Sequence, residues 1–241
     1  MRKIDLENER NYENRKASGE QVRQKQSKFY WATSLPTEKH QEETYIAIEG
    51  AEVLEIGCAS GYDAINYCKY AKSYIGVDIS NVAIDNCNAL SIENAKFHCV
   101  DGHKLPVADK SIEYVIVNSL LHHLDLEASF EEISRVLSDS GALIFREPLG
   151  TNPAFQLYRM TTPSARTEDE RPFTFNDLRL MNKYFHLYEK VRWFGFLSIL
   201  SAFYRNDNIR ALLTSIDEML SKTPLRYLFW QFSGIAKKRC L

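Results

Sequence analysis

The sequence predicts an α/β fold, a doubly wound and mostly parallel sheet, on two observations. Short apolar runs rich in β-branched and aromatic residues recur at 52–57, 74–78, 96–100, 113–119 and 142–146. Between most of them, apolar residues follow helical spacing: Ala64, Ile65, Cys68 and Ala71; then Val82, Ala83 and Cys87; then Phe130, Ile133 and Leu137. Parallel neighbours need a crossover, and strand–helix alternation at this pitch supplies one each time.

Residues 1–28 are dense in Glu, Lys, Arg, Asn and Gln and nearly lack aliphatics, so they read as a solvated helix or a loose arm. Phe29, Tyr30 and Trp31 follow, suited either to a lid over a ligand or to stapling the first helix. Beyond Pro36 a short helix carries Tyr45, Ile46 and Ile48. Ser80 and Asp125 stand at N-cap positions, where a side-chain oxygen accepts an N–H that the first turn leaves unpaired. Ser138-Asp139-Ser140-Gly141 predicts a stop and a turn. After Pro148 the alternation breaks, and the long charged stretch that follows reads as a loop or insertion. A helix restarts at 174–185, with Thr174 as cap and Asp177 in its first turn. Residues 186–196 read as a strand. The segment 208–222 places Ile209, Leu212, Leu213, Ile216, Met219 and Leu220 on one helical face, stopped by Pro224. Residues 225–239 form a last strand.

Gross composition bounds the function. The 241 residues are 44% hydrophobic with a net charge of −2, enough for a substantial core and too balanced for a protein built to coat nucleic acid. No stretch of eighteen apolar residues occurs, and Met1-Arg2-Lys3 leads into a polar run, so the expectation is a soluble, cytoplasmic protein. Cys58, Cys68, Cys87, Cys99 and Cys240 form no CxxC pair and have no histidine at zinc-finger spacing, which predicts reduced structural thiols and no metal site.

The chemistry concentrates at strand ends. Glu55-x-Gly57-x-Ala59-x-Gly61 follows the first strand, with small residues that let backbone approach a ligand. The spacing differs from the G-x-G-x-x-G dinucleotide fingerprint, which disfavours a nicotinamide-dependent oxidoreductase. Glu55 is awkward beside a phosphate and suits a cationic ligand group. Asp78 ends the next strand, placed to accept both hydroxyls of a ribose, and Asp101 ends the third.

These residues, with Asp101-Gly102 before Leu105-Pro106, then "SIEYVIVNSLLHHL" and "RVLSDSGALIFREPLG", resemble the class I S-adenosylmethionine-dependent methyltransferases over roughly residues 50–150. The branch is similar to the quinone-biosynthesis C-methyltransferases and to many small-molecule O- and N-methyltransferases. The resemblance implies a Rossmann-like, seven-stranded mixed sheet, with an N-terminal arm and helical cap (1–50) and a methyltransferase domain (51–241). It also implies an insertion, 149–173, over the acceptor site. Gly57, Cys58, Ala59 and Gly61 would face the methionine portion of S-adenosyl-L-methionine with Glu55. Asp78 would hold the ribose, Ile79 would pack on the adenine, and Asp101 and Gly102 would bond its edge. Asn118 and Ser119 would lie under the sulfonium and amino-acid part. Ala59 stands where the family most often has Gly, and Glu113 where Asp is commoner.

His122 and His123 follow the fourth strand, where the acceptor would lie. His122 is the first candidate for a general base, and both could instead only shape the pocket. Glu147 could orient an acceptor or pair with Arg146 or another neighbour. Arg159, Arg166 and Arg171 could meet an anionic acceptor, though a solvated loop is the plainer reading. The apolar run Val191–Tyr204 suits core packing, a greasy pocket or peripheral contact with a membrane surface. The expected function is methyl transfer to O or N of a small-molecule metabolite, such as a sugar or natural-product intermediate. The alternatives are C-methylation of a quinone-like or other apolar acceptor, and a non-catalytic S-adenosylmethionine-binding module. No base-flipping tetrad follows strand four, where Asn118-Ser119-Leu120-Leu121 stands, so no nucleic-acid partner is expected. The sequence leaves the oligomeric state open.

Overall fold

The computed structural model describes residues 6–20, 27–161, 171–186 and 191–239. Helix α1 (Leu6–Ala17) is followed by α2 (Ser27–Ala32) and α3 (Ser34–Ala47). Five strands then alternate with short helices: β1 (Glu52–Ile56), α4 (Ala64–Tyr67), β2 (Ser73–Asp78), α5 (Asn81–Ala89), β3 (Ala95–Cys99), β4 (Ile112–Asn118), α6 (Leu126–Val136) and β5 (Leu137–Pro148). After α7 (Pro153–Thr161) and α8 (Phe175–Tyr184) come β6 (Phe185–His186), β7 (Val191–Phe194), α9 (Ser201–Tyr204), α10 (Asp207–Leu220) and β8 (Gln231–Lys238).

The strand order is β3-β2-β1-β4-β5-β8. The first five strands are parallel, and β8 runs antiparallel to β5. Strands β6 and β7 pair successive stretches of β8 along its outer edge, so together they fill a seventh position of a mixed sheet. This is the predicted doubly wound architecture. The reversal of strand order lies between β1 and β4, which opens a crevice at the carboxyl ends of the parallel strands.

The local signals hold. Ser80 Oγ accepts from the Ala83 N–H at 3.0 Å, and Asp125 caps α6 through the Ala128 N–H at 3.2 Å. Thr174 and Asp177 form a reciprocal capping box at α8. Two cores flank the sheet. One gathers Phe130, Phe145, Phe173, Phe185 and Phe232 under α6 and α8. The other sets Ile48, Val53, Tyr67, Tyr74, Ile116 and Ile144 under α3 and α4.

Three expectations change. Residues 138–141 form an irregular stretch of β5, because Ile112 pairs with Leu137 while Tyr114 already pairs with Ala142. The first arm is a docked helix: Tyr12 is buried, Ser80 Oγ donates to Asn14 Oδ1 at 2.6 Å, and Asn86 donates to the Ala17 carbonyl at 3.2 Å. On α10, Ile209, Leu212 and Met219 are exposed, whereas Thr214 and Asp217 are buried. Leu213, Ile216 and Leu220 of the expected face are half-buried, and Asp217 turns inward beside them because it caps a turn, accepting from the N–H groups of Phe196, Leu197 and Ser198 at 3.1, 2.8 and 3.0 Å. Among the described residues, no helix is long and apolar enough to cross a membrane.

Candidate functional site

A cleft of about 290 Å³ opens at the carboxyl ends of β1 to β4. Of the residues singled out in the sequence, Glu55, Gly57, Cys58, Ala59, Asp78, Ile79, Asp101, Gly102, Asn118, Ser119 and His123 line it. His122, Glu147 and Gly61 do not.

The loop after β1 is pinned to β2, since the N–H groups of Gly57 and Cys58 both donate to the Val77 carbonyl at 2.7 and 3.1 Å. Gly57 has a φ of +81°, and a Cβ there would approach Leu120 Cδ2 to 2.8 Å. Ala59 holds φ +45°, a left-handed conformation that costs a non-glycine residue about 1–2 kcal/mol. Its N–H donates to Asp78 Oδ2 at 3.0 Å, and Ser80 N–H donates to Oδ1 at 2.9 Å. Asp78 is therefore fixed in place with lone pairs to spare. Burial raises its pKa, and these two donors oppose that shift.

Glu55 is buried and accepts a hydrogen bond from the Tyr74 hydroxyl. Burial pushes its pKa up to about 8, with Asp63 and Asp78 adding like-charge repulsion. Asn118 donates to the Tyr67 hydroxyl at 3.3 Å, while its Oδ1 has no partner. Asp101 Oδ1 accepts from the His103 N–H at 3.0 Å and lies 2.6 Å from His103 Nδ1.

The two histidines divide. His122 Nδ1 lies 2.7 Å from Glu147 Oε2, and Glu147 Oε1 accepts from the N–H groups of Leu120 and Leu121 at 2.9 Å each. Glu147 is fully buried, and that burial lifts its pKa to about 7. Its partner is thus His122, not Arg146. His123 faces the cleft, with Nδ1 3.1 Å from Glu9 Oε1 on α1.

Helix α1 supplies what the sequence reading missed: Leu6, Glu9, Glu13 and Lys16 line one side of the cleft. Their spacing of three, four and three marks a single helical face, a signal that was present in the sequence. Phe29 and Tyr30 instead pack around Trp230, and Trp31 lies under the Arg210 guanidinium, 4.5 Å from its ring centroid. Arg171 is held by Asp177 at 2.7 and 3.0 Å; Arg166, with the rest of 162–170, and Cys240 lie outside the described residues. Within the run 191–204, Trp193 and Phe194 are buried in the sheet while Leu200, Phe203 and Tyr204 are exposed.

The chain is similar to known proteins in one stretch of sequence and in its fold. Residues 54–145 match the family model described as a methyltransferase domain. The methyltransferase YcgJ of Bacillus subtilis (strain 168) is 27% identical over 97 residues, which is 38% of this chain and 38% of that protein. The alignment thus spans well under half of the curated relative. The fold of geranyl diphosphate C-methyltransferase from Streptomyces coelicolor A3(2) superposes with a TM-score of 0.67 at 15% identity, covering 97% of this chain and 98% of that one. The N-methyltransferase NodS from Bradyrhizobium japonicum WM9 gives 0.56 at 14% identity, covering 85% and 87%. The cleft lies within the matched stretch and its flanks, so residues 54–145 are similar to a methyltransferase domain and the whole chain shares the fold of these methyltransferases.

Proposed function

We propose that the protein transfers a methyl group from S-adenosylmethionine to an oxygen or nitrogen of a small-molecule metabolite. One observation carries this reading. A single cleft collects, from four adjacent parallel strands, Asp101, Asp78, Glu55 with the Gly57–Ala59 loop, and Asn118. The donor set fits the cofactor's parts in order. Asp101 and Gly102 suit the adenine edge and Ile79 its face; the remaining lone pairs of Asp78 suit the ribose diol. Glu55 and the unpartnered Asn118 Oδ1 suit the ammonium, with Cys58, Ala59 and Ser119 alongside. Gly61 shapes the turn behind them, where its φ is +79°.

When bound, the cofactor supplies an electrophilic methyl on a sulfonium that leaves as a neutral thioether. The chain's task is alignment, and holding two reactants in line is worth about 7–11 kcal/mol. An O–H or N–H acceptor must also shed a proton. His123 is the histidine on the cleft wall and takes that role; His122 and Glu147 stand behind it, the two imidazole centroids 4.3 Å apart. A positioned base of this kind contributes about 10²–10⁴-fold.

Calorimetric titration with S-adenosylmethionine, S-adenosylhomocysteine and NAD tests the assignment. Micromolar binding of the first two and none of the third is expected. Folded protein that binds neither, or that prefers NAD, refutes it.

A further inference from the structure

Arg146, at the carboxyl end of β5, lines the cleft one strand beyond Asn118. No described residue hydrogen-bonds or ion-pairs its guanidinium. The other cation of the cleft wall, Lys16, stands at the ribose end, where it acts on Asp78. Around Arg146 the sheet carries a row of polar residues on one face. Asn118 pairs across β4 and β5 with Arg146, Arg146 pairs across β5 and β8 with Ser233, and Ser233 pairs with Arg192 of β7. Arg192 is neutralised by Glu43 of α3 in a two-pronged contact. Ser233 is fully buried and its Oγ has no partner.

Above this row α3 places His40, 4% exposed, with neither ring nitrogen partnered. Burial and the charges of Arg146 and Arg192 hold it neutral, with a pKa lowered to about 4. Buried polar groups are ordinarily hydrogen-bonded, so three unpaired atoms beside a half-buried unpaired cation need an explanation. They cluster on the β5–β8 side of Arg146. The proposed cofactor groups run from β3 through β2 and β1 to β4, and so end one strand short of that side.

We propose that the methyl acceptor carries a carboxylate or phosphate and that Arg146 seats it, with His40 and Ser233 as neutral hydrogen-bonding groups behind. The proposal rests on the cofactor reading above for which side of the cleft the acceptor occupies. It makes Arg146 a specificity residue: the planar guanidinium matches a two-oxygen anion, and partial burial strengthens the bond. It also replaces the loop arginines as the cationic partner.

The test is a titration followed by the histidine ring resonances, with His40 identified from the spectrum of His40→Gln. Benzoate and inorganic phosphate are added to the full chain, with and without S-adenosylhomocysteine. Both anions are expected to shift the His40 signal. Arg146→Met should weaken them about tenfold or more and Arg146→Lys by less, since the lysine keeps the charge but not the fork. No shift by either anion, or equal binding in Arg146→Met, overturns the proposal. A third arm compares S-adenosylhomocysteine with 5′-methylthioadenosine, which lacks the amino-acid part. If Arg146→Met weakens only the former, the arginine holds the cofactor's carboxylate and the acceptor assignment falls. Failure of the cofactor reading shows separately, as wild-type protein that binds no S-adenosylhomocysteine while the anion arm is still readable.

Discussion

Glu55 offers a pH test of the cleft that needs no acceptor. In the unliganded protein its pKa is about 8, because burial disfavours the carboxylate. An ammonium placed beside it favours the ionised form and returns the pKa toward its ordinary value of 4.5. The free protein therefore holds a proton that the complex releases, and affinity must rise with pH up to about 8. With a free pKa of about 8, the ionised fraction changes about tenfold per pH unit below it. Between pH 6 and pH 7.5 the dissociation constant of S-adenosylhomocysteine should fall about 20-fold, close to 2 kcal/mol. Calorimetry across that range, repeated in buffers of different ionisation heat, measures both the slope and the proton released. Glu55→Gln keeps the shape and the bond from Tyr74 but cannot ionise, so its affinity should be nearly flat. A flat wild-type profile, or the same slope in Glu55→Gln, would refute the placement of the ammonium at Glu55.

Asp78→Ala should weaken S-adenosylhomocysteine about 10- to 100-fold, the worth of hydrogen bonds to a charged acceptor, and calorimetry that finds parental affinity removes the ribose assignment. Ala59→Gly should stabilise the protein by about 0.5–1 kcal/mol, since relief of the left-handed φ outweighs the added freedom of the unfolded chain; urea unfolding showing a loss would contradict that backbone. His122→Ala should cost about 1–3 kcal/mol of stability, by leaving buried Glu147 short of a partner, while cofactor affinity stays the same; adding Glu147→Gln should recover part of that loss. Shared loss of stability and affinity would instead place His122 on the cleft wall.

What could be read from the sequence was what is decided locally. The inner parallel strands are buried on both faces, so they declare themselves as apolar runs, and caps such as Ser80, Asp125 and the Thr174–Asp177 box act within three residues. The cleft residues of β1 to β4 were legible for a related reason: strand ends at a switch point are fixed by topology once the strands are placed. The N-terminal arm was not. Its docking face is four polar or small-area contacts spread over α1, with only Tyr12 buried, so hydrophobic periodicity carries no trace of it. On α10 the same reasoning fails in the opposite direction. Only half of the apolar stripe, Leu213, Ile216 and Leu220, is half-buried, and the helix turns Asp217 inward as well, because three backbone N–H groups at 196–198 need an acceptor.

The pairings of Arg146 and Glu147 show the deeper limit. As neighbours of opposite charge they invite an ion pair, but successive residues of a strand point to opposite sides of the sheet. Glu147 turns toward the α6 layer, where the chain returning from β4 brings His122 and two N–H donors. Arg146 turns toward the α3 layer, where His40 arrives from the first 50 residues and Ser233 from the last 10. Each partner set is assembled by the fold from segments 25 to about 100 residues away, and no window along the chain contains it. The separation also has a chemical consequence: the buried Glu147 carboxyl, whose pKa burial lifts to about 7, is kept by the sheet on the opposite side from the Arg146 guanidinium. Under this arrangement, altering Glu147 should change stability and its pH dependence, whereas altering Arg146 should change which ligands bind.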